Sequence, residues 1–290
     1  MLSHQRQTFV LDPENNPYKP RLARIVSIKP QAPDHKLFQL RFEDRDYAES
    51  FCTRPGQFAE LSIIGVGECP ISISSPPTRK GIVEMCVRRT GRVTNALFEL
   101  PTNSMVGLRG PYGNGYPVED MEDNDLLMVA GGLGMAPLRS LLWYALDNRA
   151  RFNRVVLLYG TRSPEDLLFR DEFDDLITRA DLECHVTVDK DPTGNWPYNV
   201  GVVTSLFDKV DNLNPDTTYA AICGPPVVYK FVIDQLLKLN FSKGRILMSL
   251  ERMMKCGIGK CLHCSIGHKY TCLDGPIFTY WDAINLRESI

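Results

Sequence analysis

LLMVAGGLGMAPLRSLLWYAL, residues Leu126 to Leu146, governs how the rest of the chain is read. Its length and apolar character invite a membrane helix, which needs about 20 mostly apolar residues with few breakers and no central charge. Gly131, Gly132, Gly134, Pro137 and Arg139 interrupt its middle. It divides instead into a buried strand, LLMVAGG, a glycine turn, and a helix from Ala136 to Leu146. Downstream the same grammar repeats. VVLLYG (Val155 to Gly160), ECHVTVD, TYAAICG and RILMSLE read as strands. One helix is expected to open at Ser163-Pro164-Glu165-Asp166, with an N-cap serine, proline in the first position and acids in the first turn. Others are expected around Thr204 to Val210 and Val227 to Leu239. Alternating β and α elements predict a parallel sheet with helices on both faces.

Upstream, from Arg21 to about Arg109, the hydrophobic period falls to two. Phe38, Leu40 and Phe42 alternate with Gln39 and Arg41, and Val83, Met85 and Val87 form a second such set. Turn signals at Arg54-Pro55-Gly56, Ser75-Pro76-Pro77 and Arg79-Lys80-Gly81 separate short segments. Close-spaced strands with few helices predict a small antiparallel barrel. Residues 1–19, polar and proline-bearing, are expected to wrap the surface.

A length of 290 residues accommodates two domains and a small appendage. Net charge is -2 without a long single-sign run, which excludes a nucleic-acid or anionic-membrane partner on charge grounds. MLSHQRQTFVLDPENNPYKP lacks the apolar core of a signal peptide. Nine cysteines without such a signal imply a reducing compartment, so a cytoplasmic location is expected. Cys52, Cys69, Cys86, Cys184 and Cys223 stand singly and read mostly as small buried apolar residues.

Four more cysteines stand together. Cys256, Cys261, Cys264 and Cys272 follow the spacing C-x4-C-x2-C, then C-x7-C, and Gly257, Gly259 and Gly267 give the loop the freedom to wrap a cluster. The x4-then-x2 opening is that of plant-type 2Fe–2S ferredoxins, whereas bacterial 4Fe–4S loops run x2-x2-x3. A structural zinc site is the alternative, although it usually shows paired hooks ~12–20 residues apart.

Further candidates lie at strand ends. Gly131-Gly132-Leu133-Gly134-Met135-Ala136-Pro137 sits between a strand and a helix, where a pyrophosphate can approach backbone N–H groups and a positive helix end. It lacks the GxGxxG fingerprint, and a plain turn is the alternative. Cys223-Gly224-Pro225-Pro226 closes a later strand at the carboxyl edge, where doubly wound sheets place ligands. Cys223 there is either a soft neighbour of a nicotinamide or a buried thiol before a helix. In the barrel half, Gly91, Arg92, Val93 and Thr94 precede a helical run, Asn95 to Leu100. With Arg88 and Arg89 beside them they form a second candidate phosphate site, or else common surface features.

In this order the motifs resemble the ferredoxin–NADP reductase superfamily, which has a flavin-binding barrel followed by a nicotinamide-nucleotide domain. Its G-G-x-G, Y-G-x-R and C-G-P motifs stand here as GGLGMAP, Tyr159-Gly160-Thr161-Arg162 and Cys223-Gly224-Pro225. The cysteine loop narrows the resemblance to electron-transfer subunits such as that of dihydroorotate dehydrogenase. NPYKPRLARI, GECPISISSPPTRKG, RGPYGNGYP and MMKCGIGKCLHC look most like the gamma subunits of cytoplasmic nickel–iron sulfhydrogenases, and the related electron-transfer subunit of anaerobic sulfite reductase shares much of this wording. The resemblance spans Asn16 to Ile284. It implies FAD and a 2Fe–2S cluster as cofactors and NAD(P)H as electron donor. It also implies partners among the iron–sulfur and catalytic subunits of a hetero-oligomeric complex, a hydrogenase foremost. A non-catalytic metal-binding interaction module is the contrasting reading.

Carried over residue by residue, the resemblance assigns flavin contacts to Pro70, Ile71, Ser72, Ile73 and Ser74, with Ser72 as the residue bonding flavin N5. The family's Arg-x-Tyr-Ser is broken here, because Cys69 and Ile71 replace the arginine and tyrosine. The missing phosphate charge is expected from Arg88, Arg89 or Arg92 and the helix start at Gly91. Nucleotide contacts are expected from Gly131, Gly132, Gly134, Pro137, Thr161, Arg162, Asp189, Lys190, Cys223, Gly224 and Pro225. Asp189, at the end of ECHVTVD, favours NADH, and Arg162 or Lys190 would welcome a 2′-phosphate. The expected domains are a flavin barrel at 1–118, a doubly wound nucleotide domain at 119–248 and a cluster loop at 249–290.

Overall fold

The computed structural model describes residues 16–287, so the expected surface wrap falls mostly outside it. The barrel comprises β1 (Arg21–Ala32), β2 (His35–Phe42), β3 (Phe58–Ile63), β4 (Gly67–Ser72), β5 (Val83–Arg88) and β6 (Met105–Tyr112), with α1 (Arg45–Ser50) and α2 (Arg92–Glu99) in its connections. All pairings are antiparallel, in the order β4-β3-β6-β1-β2-β5. The period-two residues Phe38, Leu40, Val83, Met85 and Val87 point inward with Ile25, Leu61 and Leu108 to make the barrel core. Beyond β4, Ser74 N donates to Glu84 O (2.8 Å) and draws the open edge toward β5.

After the single turn α3 (Val118–Met121) the parallel sheet begins. It contains β7 (Asp125–Gly131), β8 (Val155–Thr161), β9 (Glu183–Val188), the two-residue β10 (Asn199–Val200), β11 (Thr218–Cys223) and β12 (Ile246–Ser249). Helices α4 (Met135–Asp147), α5 (Arg170–Thr178) and α6 (Pro226–Lys238) cover it. Along β7, Leu126, Met128 and Ala130 enter one core while Leu127 and Val129 enter the other. That is why the strand reads as a continuous apolar run.

Three details depart from the sequence reading. Ser163-Pro164-Glu165-Asp166 forms only a 3-10 turn at Pro164–Asp166, and the α-helix begins at Arg170. The expected helix at Thr204 to Val210 is a 3-10 helix over Val203–Lys209. RILMSLE does not end the sheet either. After β13 (Ser265–Ile266), β14 (Lys269–Tyr270) and the short α7 (Thr271–Asp274), the chain returns as β15 (Ile277–Thr279), antiparallel to β12, and closes with α8 (Tyr280–Ile284). The cysteine loop is therefore tied to the nucleotide sheet at both ends. Among the described residues no helix is long and apolar enough to cross a membrane.

Candidate functional site

Strand order β10-β9-β8-β7-β11-β12-β15 changes direction between β7 and β11. The carboxyl ends of these two strands carry the two glycine motifs, at the position where open α/β sheets bind ligands. The motifs lock into each other. A Cβ on Gly134 would lie 2.1 Å from the Cys223 carbonyl oxygen, and one on Gly224 would lie 3.2 Å from the Gly131 backbone. Gly131 is filled from the other side by Val228. Only Gly132, at φ +51°, faces open space. Of the three glycines in the first motif, two serve close packing and one is open to an approaching ligand. Pro137 is buried in the first turn of α4, where its missing N–H costs no helix bond. Cys223 is buried, and burial pushes its thiol up to about 12, so it packs as a neutral soft group.

At the neighbouring strand ends, Asp189 N donates to Thr161 O (2.9 Å) and Lys190 N to Arg162 O (3.1 Å). This brings the three expected ribose-side residues, Arg162, Asp189 and Lys190, together with the expected nucleotide contact Thr161. Asp189 and Lys190 are exposed. Arg162 pairs with Asp166 (3.0 Å) while remaining mostly in solvent. The Thr161 hydroxyl turns back to the Ser163 carbonyl (3.0 Å).

On the barrel, Pro70, Ile71 and Ser72 end β4, with Ile73 and Ser74 buried just beyond. The Ser72 hydroxyl forms no hydrogen bond among the described residues, leaving it available to a ligand. Gly91 is the N-cap of α2 and supplies no side-chain acceptor to the first-turn N–H groups, which suits an anion there. The three arginines differ. Arg89 is engaged by Asn95 (3.2 Å) and Glu99 (3.0 Å), and Arg92 reaches the Val66 carbonyl. Arg88 lies exposed at the end of β5 with no side-chain partner among the described residues. Thr94 spends its hydroxyl on the Thr90 and Gly91 N–H groups, at 2.9 Å each. Val93 is half-buried behind it.

Sequence reasoning missed the groups that join these surfaces. Arg139, buried on α4, donates to Ser74 O (3.0 Å), Glu84 (2.7 Å) and Glu172 (2.6 Å), and Ser140 donates to Ser75 O (2.9 Å). The helix that starts at the glycine loop is thus bolted to the segment just beyond β4, the strand expected to carry the flavin contacts. An arginine inside the apolar run APLRSLLW was the available signal, since a charge is rarely buried unpaired.

The cysteine loop rests on the barrel at β3 and β6. Cross-strand neighbours Ser72, Phe58 and Tyr112 form one row of the sheet, and Pro70, Glu60 and Arg109 the next. Phe58 and Tyr112 pack with Cys256, Ile258, Cys264 and Cys272. Gly257, at φ +73°, lies so close that a Cβ would stand 2.8 Å from the Tyr112 ring. The RGPYGNG segment grips the returning end: Gly113 N donates to Cys272 O (3.1 Å) and Asn114 Nδ2 to Asp274 O (2.9 Å) and Ile277 O (2.7 Å).

Within the loop, the N–H groups of Ile258, Lys260 and Cys261 lie 3.3–3.4 Å from Cys256 Sγ, and Gly259 N lies 3.1 Å from Cys272 Sγ. Backbone donors aimed at sulfur fit thiolate ligands, which are acceptors only. Cys264 and Cys272 share a hydrogen bond of 3.3 Å, and that bond draws the Cys264 thiol below its ordinary range, toward the thiolate. Among the described residues no three His, Cys, Asp or Glu side chains converge as around a single ion. A two-iron cluster, ligated by four cysteines shared between its irons, needs no single convergence point.

The barrel, the sheet with its glycine loop and the four-cysteine loop define a class: flavin-type pyridine-nucleotide oxidoreductases with an iron–sulfur loop. The oxidoreductase NAD-binding domain profile matches residues 128–234, and the iron–sulfur cluster binding domain of dihydroorotate dehydrogenase B matches residues 251–283. The chain belongs to the family of sulfhydrogenase gamma subunits and dihydroorotate dehydrogenase B electron-transfer subunits. It is 47% identical to the sulfhydrogenase 2 gamma subunit of Pyrococcus furiosus, covering 95% of this chain and all of that one. It is 31% identical to a probable dihydroorotate dehydrogenase B electron-transfer subunit of the same organism, over 80% of this chain and 81% of the other. The solved NADH-dependent reduced ferredoxin-NADP oxidoreductase shares the fold at TM-score 0.71 and 24% identity, over 91% of this chain and 90% of that one. The two matched profiles account for the nucleotide sheet and the cysteine loop as an NAD-binding domain and an iron–sulfur cluster binding domain.

Proposed function

We propose that the chain is the electron-input subunit of a hetero-oligomeric redox complex, oxidising NAD(P)H on behalf of a nickel–iron hydrogenase. The observation that carries this reading is the continuity of three surfaces. The nucleotide loops are bolted to Ser74 and Ser75 through Arg139 and Ser140, and the row Ser72–Phe58–Tyr112 runs from the flavin strand to the cysteine loop. When bound, FAD accepts a hydride and exchanges electrons singly with a cluster, so two-electron and one-electron chemistry meet in one chain.

The protein's part is to hold and orient. The open face at Gly132 and the start of α4 receive the pyrophosphate, and the ends of β8 and β9 read the ribose. The uncapped start of α2 and the exposed Arg88 hold the flavin pyrophosphate, while the unpaired Ser72 hydroxyl meets the ring. Cys256, Cys261, Cys264 and Cys272 ligate the cluster. Buried Cys223, neutral, packs beside the nicotinamide and offers no charge that would bias hydride transfer.

The choice of hydrogenase over a sulfite reductase or dihydroorotate dehydrogenase complex rests on the higher identity to the sulfhydrogenase relatives. Affinity purification of the tagged chain from anaerobic cells tests it. Co-purified hydrogenase subunits with hydrogen-dependent reduction of NAD(P)+ support the reading. Co-purified dihydroorotate dehydrogenase or sulfite reductase subunits overturn it.

A further inference from the structure

Between the flavin strand and the cysteine loop lies a buried charged group with no place in the function so far. Arg109, on β6, has a side chain only 2% exposed. Its Nε and Nη2 grip both oxygens of Glu68 on β4, at 3.0 and 2.6 Å. Its Nη1 donates to Cys256 O (2.9 Å), Tyr112 Oη (2.9 Å) and Pro17 O (3.0 Å), and Nη2 also reaches Lys255 O (3.3 Å). Every N–H of the guanidinium is therefore committed, two toward the flavin strand and the rest largely to the peptide that opens the cysteine loop. A planar fork with five fixed donors suits this task, and a lysine cannot reproduce it.

The peptide it holds sets the course of the loop beyond it. With the Lys255 and Cys256 carbonyls turned to Arg109, the succeeding N–H groups of Ile258, Lys260 and Cys261 face Cys256 Sγ. Hydrogen bonds to cluster sulfurs and nearby charge are two of the levers that set an iron–sulfur potential. Beside Arg109 on the same sheet face, Glu60 is fully buried with neither carboxyl oxygen hydrogen-bonded. Glu68 and Glu60 are thus the acidic groups facing the guanidinium, and Arg109 is the cation bonded directly to the loop's first cysteine peptide.

We propose that Arg109 is a positioning residue for electron transfer: it fixes the Cys256 peptide of the cysteine loop against flavin-side strand β4 and holds the cluster's reduction potential up. This rests on the cluster assignment above. Reduction adds negative charge to the cluster, so a neighbouring cation favours it, as do N–H groups directed at sulfur.

The test is an anaerobic potentiometric titration of the full chain, with the cluster reconstituted and followed by electron paramagnetic resonance, alongside iron and sulfide analysis. Arg109→Gln is expected to lower the potential so that cluster reduction becomes about tenfold less favourable, about 59 mV for one electron. Arg109→Lys, keeping charge but losing the fork, should fall between the two. Glu68→Gln, removing an anion while leaving Arg109, should shift the potential upward. If Arg109→Gln fails to hold its loop, the opposite displacements of Arg109→Lys and Glu68→Gln decide the matter. Potentials equal to the wild type in these variants overturn the proposal. A wild-type chain that takes up no iron sinks instead the functional reading on which it rests.

Discussion

Glu60 offers a test that isolates one buried group. Its carboxyl is fully buried on β3 and neither oxygen has a partner. Burial, reinforced by the Glu68 carboxylate and opposed by Arg109, pushes its pKa up to about 8. An unfolded glutamate titrates near ~4.3. Between those values the folded chain keeps a proton that the unfolded chain has lost, so stability falls as pH rises through this window and levels off above about 8. Glu60→Gln, similar in shape and permanently neutral, removes that dependence. Each pH unit inside the window is worth about 1.4 kcal/mol, so from pH 6 to pH 8 the variant should gain about 2–3 kcal/mol relative to wild type. Denaturant unfolding of both proteins at matched pH values measures this, and taking the difference cancels every titration they share. A stability difference that is flat from pH 6 to pH 8 would mean Glu60 is ionised in the fold, and the reasoning fails.

The same geometry sets further outcomes. Gly134→Ala places a methyl group 2.1 Å from the Cys223 carbonyl, so the nucleotide loops must separate. It should lose about 1–3 kcal/mol of stability and raise the KM for NAD(P)H, and an unchanged KM would show that this contact does not shape the site. Arg139→Ala leaves Glu84 and Glu172 without their buried cation and should cost about 3–5 kcal/mol, read by denaturant midpoint; a loss under about 1 kcal/mol counts against the bolt. Cys261→Ser should lose the cluster while extraction still yields FAD, and wild-type iron content in that variant refutes the ligand assignment. Asp189→Ser should raise the ratio of kcat/KM for NADPH over NADH, because the carboxylate that repels a 2′-phosphate is gone; an unmoved ratio removes Asp189 as the discriminator.

Much of this was legible in the chain. The apolar run Leu126 to Ala130 announced a strand buried on both faces, the alternation at Phe38–Phe42 a barrel wall, and the four cysteines a metal loop, because each is a local pattern with one dominant physical cause. What stayed hidden was relational. Nothing local to Gly131 and Gly134 announced that the backbone of Cys223 and Gly224 and the side chain of Val228 fill the space beside them. Arg109 and Arg139 each bond groups more than 50 positions away, and no local pattern marks such a partner. The final strand, three residues long, is defined by pairing with β12 rather than by its own composition.

The most direct test of the central claim is an anaerobic titration of the purified chain with NADH or NADPH, following flavin absorbance and the paramagnetic cluster signal together. Bleaching of the flavin bands accompanied by a growing 2Fe–2S signal, with bleaching but no such signal in Cys261→Ser, is the predicted result. A chain whose flavin and cluster stay oxidised under either nucleotide, yet are reduced by dithionite, contradicts the account.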